Sequence, residues 1–375
     1  MTGTSKVRGG CASEAQVSLS DFPIVFMSFD EPWADEVWER LLLVRPDARR
    51  VHGVKGLNAC HVAAAESAGT EWFLTVDADT EVSEDLREVT FPEAYLRPAF
   101  RLDWQSRNAV NGVVSGNGSL KLWPRDLVRK MRSHEAAPDD AVSLDADIGQ
   151  IRPGTSRIVL MPGCHSKTDP ARTPIHAFRA GFRETTFLSW LLRQMVERGA
   201  SNDDALRQIL TIWCSVGTHA PRGDWVLYGA RMGVWAEQTW QDWDIRLTHD
   251  YDWFRRFWDA DIKARIGPGG AHCPLSGHAW DADQLRNNVT GLGENLAAAT
   301  DIPVAELDPE TSRTLAEAQV FPAGRTLENL DSLGRAFQKG QGVPKNIAGL
   351  ILLRRMGRGD WGLIRPELVR APFPT

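Results

Sequence analysis

With 375 residues, 42% of them hydrophobic, the chain has enough apolar material for a sizeable core and a length that fits roughly two domains. A formal charge of −6 excludes a protein whose whole surface is a basic coat for nucleic acid, although local basic clusters remain. Cys11, Cys60, Cys164, Cys214 and Cys273 form no close pair and no Cys-x-x-Cys, which excludes a disulfide scaffold or zinc module and points to a reducing, cytoplasmic setting.

Residues 1–20 are polar, carry no apolar signal core, and are expected to be disordered. The late apolar run Ile347 to Leu353 is too short to cross a bilayer, so no membrane partner is expected. Pro23 to Phe29 reads as a strand, and Asp30-Glu31-Pro32 supplies a capping acid and a proline suited to a first helical turn. Trp33, Val37, Leu41 and Val44 then recur at near-helical spacing until Arg45-Pro46-Asp47 stops the pattern. Arg50 to Val54 is a second strand, and Leu57 to Ala68 an alanine-rich helix closed by Gly69.

Trp72 to Asp79 is the third strand, an apolar run ending in two carboxylates one residue apart. Alternate side chains of an extended chain point the same way, so Asp77 and Asp79 can share a hard divalent cation. An acidic, water-facing turn is the competing account. Strand, helix, strand, helix, strand with crossovers this short predicts a parallel sheet whose ligands bind at the strands' carboxyl ends, where Asp30, Lys55, Asp77 and Asp79 gather.

Further along, Trp104 to Asn108 and Asn111 to Gly118 combine amides with permissive glycines. Gly116-Asn117-Gly118 serves either as a hairpin turn or as a sugar-binding loop. Thr173-Pro174 opens a helix on which His176, Arg179 and Arg183 share a face suited to phosphate, with Glu184 on the adjoining side; a solvated charged face is the alternative. Basic clusters occur at Arg45, Arg49 and Arg50 and at Arg125, Arg129, Lys130 and Arg132. Of fifteen tryptophans, one or two among Trp33, Trp104, Trp123, Trp225, Trp235, Trp240 and Trp243 are expected to stack on a ligand. The chain from about residue 260 reads as a helical or mixed extension.

Ala59-Cys60-His61, Ala68-Gly69-Thr70-Glu71 and the strand into Asp77-Ala78-Asp79 together resemble the GT-A class of nucleotide-sugar glycosyltransferases. The chain departs at Cys60-His61, where an Arg-Asn pair often stands. Arg50 to Gly56, Val110-Asn111-Gly112, Gly116-Asn117-Gly118 and Lys121 to Pro124 further resemble phage-encoded GT-A-like proteins associated with glycosylation of hydroxymethylated pyrimidines in DNA. The resemblance implies an α/β, Rossmann-like, mostly parallel sheet flanked by helices over residues 21–260, with residues 261–375 as the extension. It implies Mn or Mg on Asp77 and Asp79, with His249 as third ligand and His165 and His176 as rivals. A uridine diphosphate sugar donor would touch Phe29, Asp30, Lys55, His61, Asp77, Asp79, Asn117, Arg179 and Arg183. Glu184 and Asp250 are its candidate catalytic acids, and 5-hydroxymethylcytosine in DNA its candidate acceptor, with Arg125, Arg129 and Lys130 on DNA phosphates. A saccharide or protein acceptor and a metal-dependent nucleotidyltransferase are the alternatives. A dehalogenase-type phosphatase fits less well, because Thr80 falls one place early and Glu81 occupies the position that motif gives to threonine.

Overall fold

A computed structural model describes residues 15–98, 100–131, 155–156, 158–197, 204–319 and 343–344. Strand β1 (Gln16–Ser18) pairs antiparallel with β6 (Thr90–Pro92), and Leu19 is fully buried. The expected disordered start therefore does not extend to residue 20. Ser18 and Asp21 cap the turn that follows reciprocally, and Leu19 is driven under the sheet.

The elements read from hydrophobic pattern form as expected: β2 (Ile24–Ser28), α1 (Ala34–Val44), β3 (Arg49–His52), α2 (Leu57–Ala68) and β4 (Trp72–Asp77). Gly69 takes the left-handed conformation that ends α2, at φ 68°. The start of α1 differs. Its cap position is Trp33, without a side-chain cap bond, since an indole offers no acceptor; the buried ring donates from Nε1 to Ala78 O at 3.1 Å.

With β5 (Thr80–Val82), β7 (Arg101–Asn108), β8 (Val114–Pro124) and β10 (Ile158–Thr168), the main sheet has the order β3-β2-β4-β8-β7-β10-β5. Its first three strands are parallel, but β4–β8, β8–β7 and β10–β5 are antiparallel. The sheet is thus mixed rather than mostly parallel. The cause is a hairpin: β7 and β8 are joined by too short a turn for a crossover, so β8 must enter in reverse beside β4. That turn lies at residues 109–112, where Asn108 Oδ1 accepts from Val110 N at 2.8 Å and Gly112 has φ 75°. Gly116-Asn117-Gly118, expected as a hairpin turn or a sugar-binding loop, runs inside β8, and the Asn117 side chain lies outside the described residues.

Period-two alternation splits β4 between two cores. Leu74 and Val76 pack with Trp33, Val37 and Leu41 of the α1 side, whereas Phe73 packs with Ala64, Ala65 and Ala68 of α2. Thr75 and Asp77 share the α2 face with Phe73.

Short α3 (Arg125–Lys130) follows β8, and a third core is mainly helical, joined by Val110 and Val113 of the β7–β8 turn: α4 (Pro174–Glu197), α5 (Asp204–Ser215), α6 (Gly223–Thr239), α7 (Tyr251–Phe257), α8 (Lys263–Ile266), α9 (Ala282–Ala299) and α10 (Pro309–Glu317). Short ribbons β11 (Ala271–His272) with β12 (Ala279–Trp280), and β9 (Thr155–Ser156) with β13 (Val343–Pro344), complete the described elements. Apolar packing is continuous from Phe178 through Trp258 to Leu296, so no division falls at residue 260. Between β10 and α4 the chain passes from the sheet cores to the helical one, into which Val110 and Val113 of the β7–β8 turn also pack. No helix among the described residues is long and apolar enough to cross a membrane.

Candidate functional site at the carboxyl edge of the sheet

Strands β2, β4, β7 and β10 run in one direction, so their carboxyl ends share one edge of the sheet. There β2 delivers Phe29 and Asp30, the loop after β3 delivers Lys55, and β4 delivers Asp77 and Asp79. Phe29 is 40% exposed, unusual for a large apolar side chain, and Asp30 and Lys55 are exposed. Thr80 Oγ1 donates to Asp79 Oδ1 at 3.2 Å, and the Asp79 carbonyl accepts from Asp169 N at 2.8 Å. Burial, with the charge of Asp77 added, raises the Asp79 pKa to about 6. With both ionised, the two carboxylates outnumber the one ammonium beside them, that of Lys121, which leaves negative charge for a cation.

Beneath the pair lies a buried polar layer on the α2 face. Lys121 of β8 is opposite Thr75 on one side and Asp103 on the other, and its ammonium stands 3.7 Å from Asp77 Oδ2. Asp103 forms a two-point ion pair with Arg101, at 2.5 Å for each bond, and both residues are almost wholly buried. The Arg101 guanidinium lies 4.5 Å from the Trp123 ring, whose Nε1 donates to Thr75 Oγ1 at 2.9 Å. His61 belongs to this layer. It is buried, bonds the Leu57 carbonyl through Nδ1 and meets Trp123 edge-on at 5.0 Å, and burial lowers its pKa. A donor contact from His61 is therefore corrected to a packing role, because α2 turns that position toward the sheet.

Helix α4 starts at the same edge because β10 ends there. His176 meets Trp33 edge-on at 4.9 Å and shares a hydrogen bond with Thr173 Oγ1 at 2.6 Å. Burial, then the charge of Arg179, lowers its pKa to about 4. Arg179 lies over the Tyr251 ring at 4.0 Å, and Arg183 follows one turn later. Glu184 is half-buried eight residues past His176, about 12 Å along the axis, and so is set back from the carboxylate pair.

Other expected residues have structural employment. Asp250 is exposed and is the N-cap of α7, its Oδ1 accepting from Asp252 N and Trp253 N at 2.9 Å each. His249 ends the short turn before α7. Among the described residues no three His, Cys, Asp or Glu side chains assemble as a metal cluster, so Asp77, Asp79 and His249 do not form the expected triad. His165 pairs with Asp85 at 2.9 Å. Arg45 bonds the Phe22 carbonyl, Arg49 the carbonyl of Ala68 at the end of α2, and Arg50 pairs with Asp35.

Arg125, Arg129 and Lys130 sit on α3 at the opposite edge, where Arg125 N donates to Glu71 O just ahead of β4. Six residues of β4 separate them from Asp77, about 20 Å of strand. Trp33, Trp104, Trp123 and Trp225 are buried and present no open ring for stacking, whereas Trp235, Trp240 and Trp243 are partly buried against the helical core.

Sequence reasoning missed Lys121, the Arg101–Asp103 pair and Tyr251. A lysine set between leucines in the alternating run Leu120-Lys121-Leu122 was the available signal, since an internal strand position demands a partner for a charge. No family model, no characterised protein and no solved structure matches this chain.

Proposed function

We propose that the protein is a metal-dependent glycosyltransferase of GT-A type, moving a sugar from a nucleoside diphosphate, uridine diphosphate by class resemblance, to a hydroxyl acceptor. The observation that carries this reading is the Asp77–Asp79 pair ending β4 at the carboxyl edge of parallel strands, with Asp79 raised to a pKa of about 6. Two neighbouring carboxylates, one buried and one partly open to water, fit a hard divalent cation, and Mg in particular needs only one or two protein carboxylates, taking its other oxygens from water and substrate phosphates. Two ligands therefore suffice without His249.

Bound there, Mn or Mg supplies charge neutralisation for the departing diphosphate. Asp77 and Asp79 would hold it, with the Lys121 ammonium facing Asp77 from below. Phe29, Asp30 and Lys55 form the exposed rim, where an aromatic face, an acceptor of sugar hydroxyls and an ammonium stand around the pair. Glu184, set back along α4, serves as base only for an acceptor that reaches over that helix.

The acceptor proposed from the narrower resemblance is 5-hydroxymethylcytosine in DNA, whose hydroxymethyl group lies in the major groove. Phosphate contacts for it belong on the α4 side of the site, because α3 is at the far edge. The protein would be incubated with Mn, a panel of uridine diphosphate sugars, and DNAs containing cytosine, methylcytosine or hydroxymethylcytosine, then the nucleosides weighed. A sugar-sized mass gain on hydroxymethylcytosine alone supports both parts. Transfer only to a saccharide or protein rejects DNA but keeps glycosyl transfer, and transfer of a labelled nucleotide itself rejects both.

A further inference from the structure

The geometry points to a phosphate-binding site on the faces of α4 and α7, built on Arg179 and Tyr251 with Arg183, Arg255 and His176 around it, that works without the divalent cation. It borrows its location beside Asp77 and Asp79 from the glycosyltransferase reading, but not that reading's chemistry.

Arg179 is the centre. Its guanidinium carbon lies over the Tyr251 ring, 4.0 Å from the centroid, and 5.9 Å from that of Phe254, and its Nε is buried with no hydrogen-bond partner. Among the described residues no carboxylate comes within ion-pair distance of it. Burial presses its pKa downward and the charge of Arg183 adds to that, while Tyr251 opposes through its charge and a side-chain hydrogen bond, so the unspent donor is Nε. A buried guanidinium that leans on an aromatic face rather than an acid has an unspent donor, and the planar fork matches phosphate oxygens.

Its surroundings have the same sign. Arg183 is one turn along α4, about 6 Å by helical rise, and Arg255 of α7 acts on His176 with the repulsive sense of a like charge. His176, with a pKa of about 4, is neutral near pH 7 and offers a hydrogen bond rather than charge. Asp30 is the acid that acts on His176 here, and it is exposed at the rim. Asp250, beside Tyr251, spends Oδ1 on the N–H groups of α7. Arg179, Arg183 and Arg255 thus put cationic side chains on the adjoining helices α4 and α7, with Arg179 at the centre.

The test is calorimetric titration in excess chelator, with pyrophosphate as probe, on the wild type and on Arg179→Ala, Arg179→Lys and Asp77→Asn. Arg179→Ala is expected to bind at least about tenfold more weakly, the scale of a charge-assisted bond. The lysine variant should recover only part of that, and Asp77→Asn should equal or exceed the wild type. Tyr251→Leu, which keeps every charge, provides the second variant should Arg179→Ala misfold, and is expected to weaken binding severalfold. Equal pyrophosphate binding in wild type and the Arg179 variants, or none in the wild type, overturns the site. Uridine diphosphate and a short single-stranded oligonucleotide are then used as competitors: displacement by the first assigns the phosphate to a donor, displacement by the second to an acceptor strand, and displacement by neither overturns a substrate role. Absence of any Mn effect on uridine diphosphate binding sinks the glycosyltransferase reading while leaving this result standing.

Discussion

The buried ammonium of Lys121 stands 3.7 Å from Asp77 Oδ2, so the candidate metal carboxylate already faces a resident cation from inside the sheet. A divalent ion bound to Asp77 would be repelled by it. Lys121→Met is therefore expected to tighten Mn binding severalfold in the absence of nucleotide. It should also lower stability by about 1 kcal/mol, a modest figure because Asp77 is partly exposed to water. Titration with Mn and a thermal melt read the two effects separately, and weaker Mn binding would show that Lys121 supports the site rather than competing with it.

Asp79 gives a pH signature. Its folded pKa, about 6, lies above the ordinary value, so the native state holds a proton that the unfolded chain has already lost between roughly pH 4 and 6. The stability this contributes is fully present below pH 4 and is lost as pH rises through 6. Wild type should thus lose stability relative to Asp79→Asn over that interval, seen in urea melts at pH 4, 6 and 8. Mn affinity should move oppositely, rising from pH 5 to 7 as the carboxylate ionises.

Both Asp77→Asn and Asp79→Asn are expected to abolish the Mn-dependent part of uridine diphosphate binding while remaining folded. Amide oxygens cannot replace the lost charge on a hard cation. Calorimetry with and without Mn checks this; unchanged Mn dependence in both variants rejects the metal assignment.

Where α4 crosses α6, backbone meets backbone. A Cβ built on Gly229 would fall 1.9 Å from Phe178 O, and one on Gly181 2.2 Å from Val226 O. Gly229→Ala is expected to cost about 1–3 kcal/mol or more by overpacking, read by urea denaturation. Because α4 also carries His176 and Arg179, metal-free pyrophosphate binding should weaken in the same variant.

Replacing Arg125, Arg129 and Lys130 together by alanine is expected to leave nucleotide and oligonucleotide binding within about twofold of wild type, the noise level of surface changes away from a site. A large loss of oligonucleotide affinity in a filter-binding assay would return the acceptor surface to α3.

Local pattern carried much of the first half of the fold. The run from Trp72 to Val76, the alanines of α2 and Gly69 at its end each specify an element through forces acting within a few residues, and these elements stand where the pattern puts them. Asp77 and Asp79 could be placed at a strand end for the same reason. The site beyond them could not, since its other parts come from residues 29, 121, 176, 179 and 251, joined only by the order of strands and the crossing of helices.

The sequence by itself determined the parallel β3-β2-β4 core and the acidic end of β4, because periodicity and helix termination are local properties. Only tertiary structure decided that β8 inserts antiparallel beside β4, that His61 faces the sheet, and that α3 lies at the far edge. Those outcomes depend on which apolar faces find one another and on which buried charges find partners, and neither is written in the spacing of neighbouring residues.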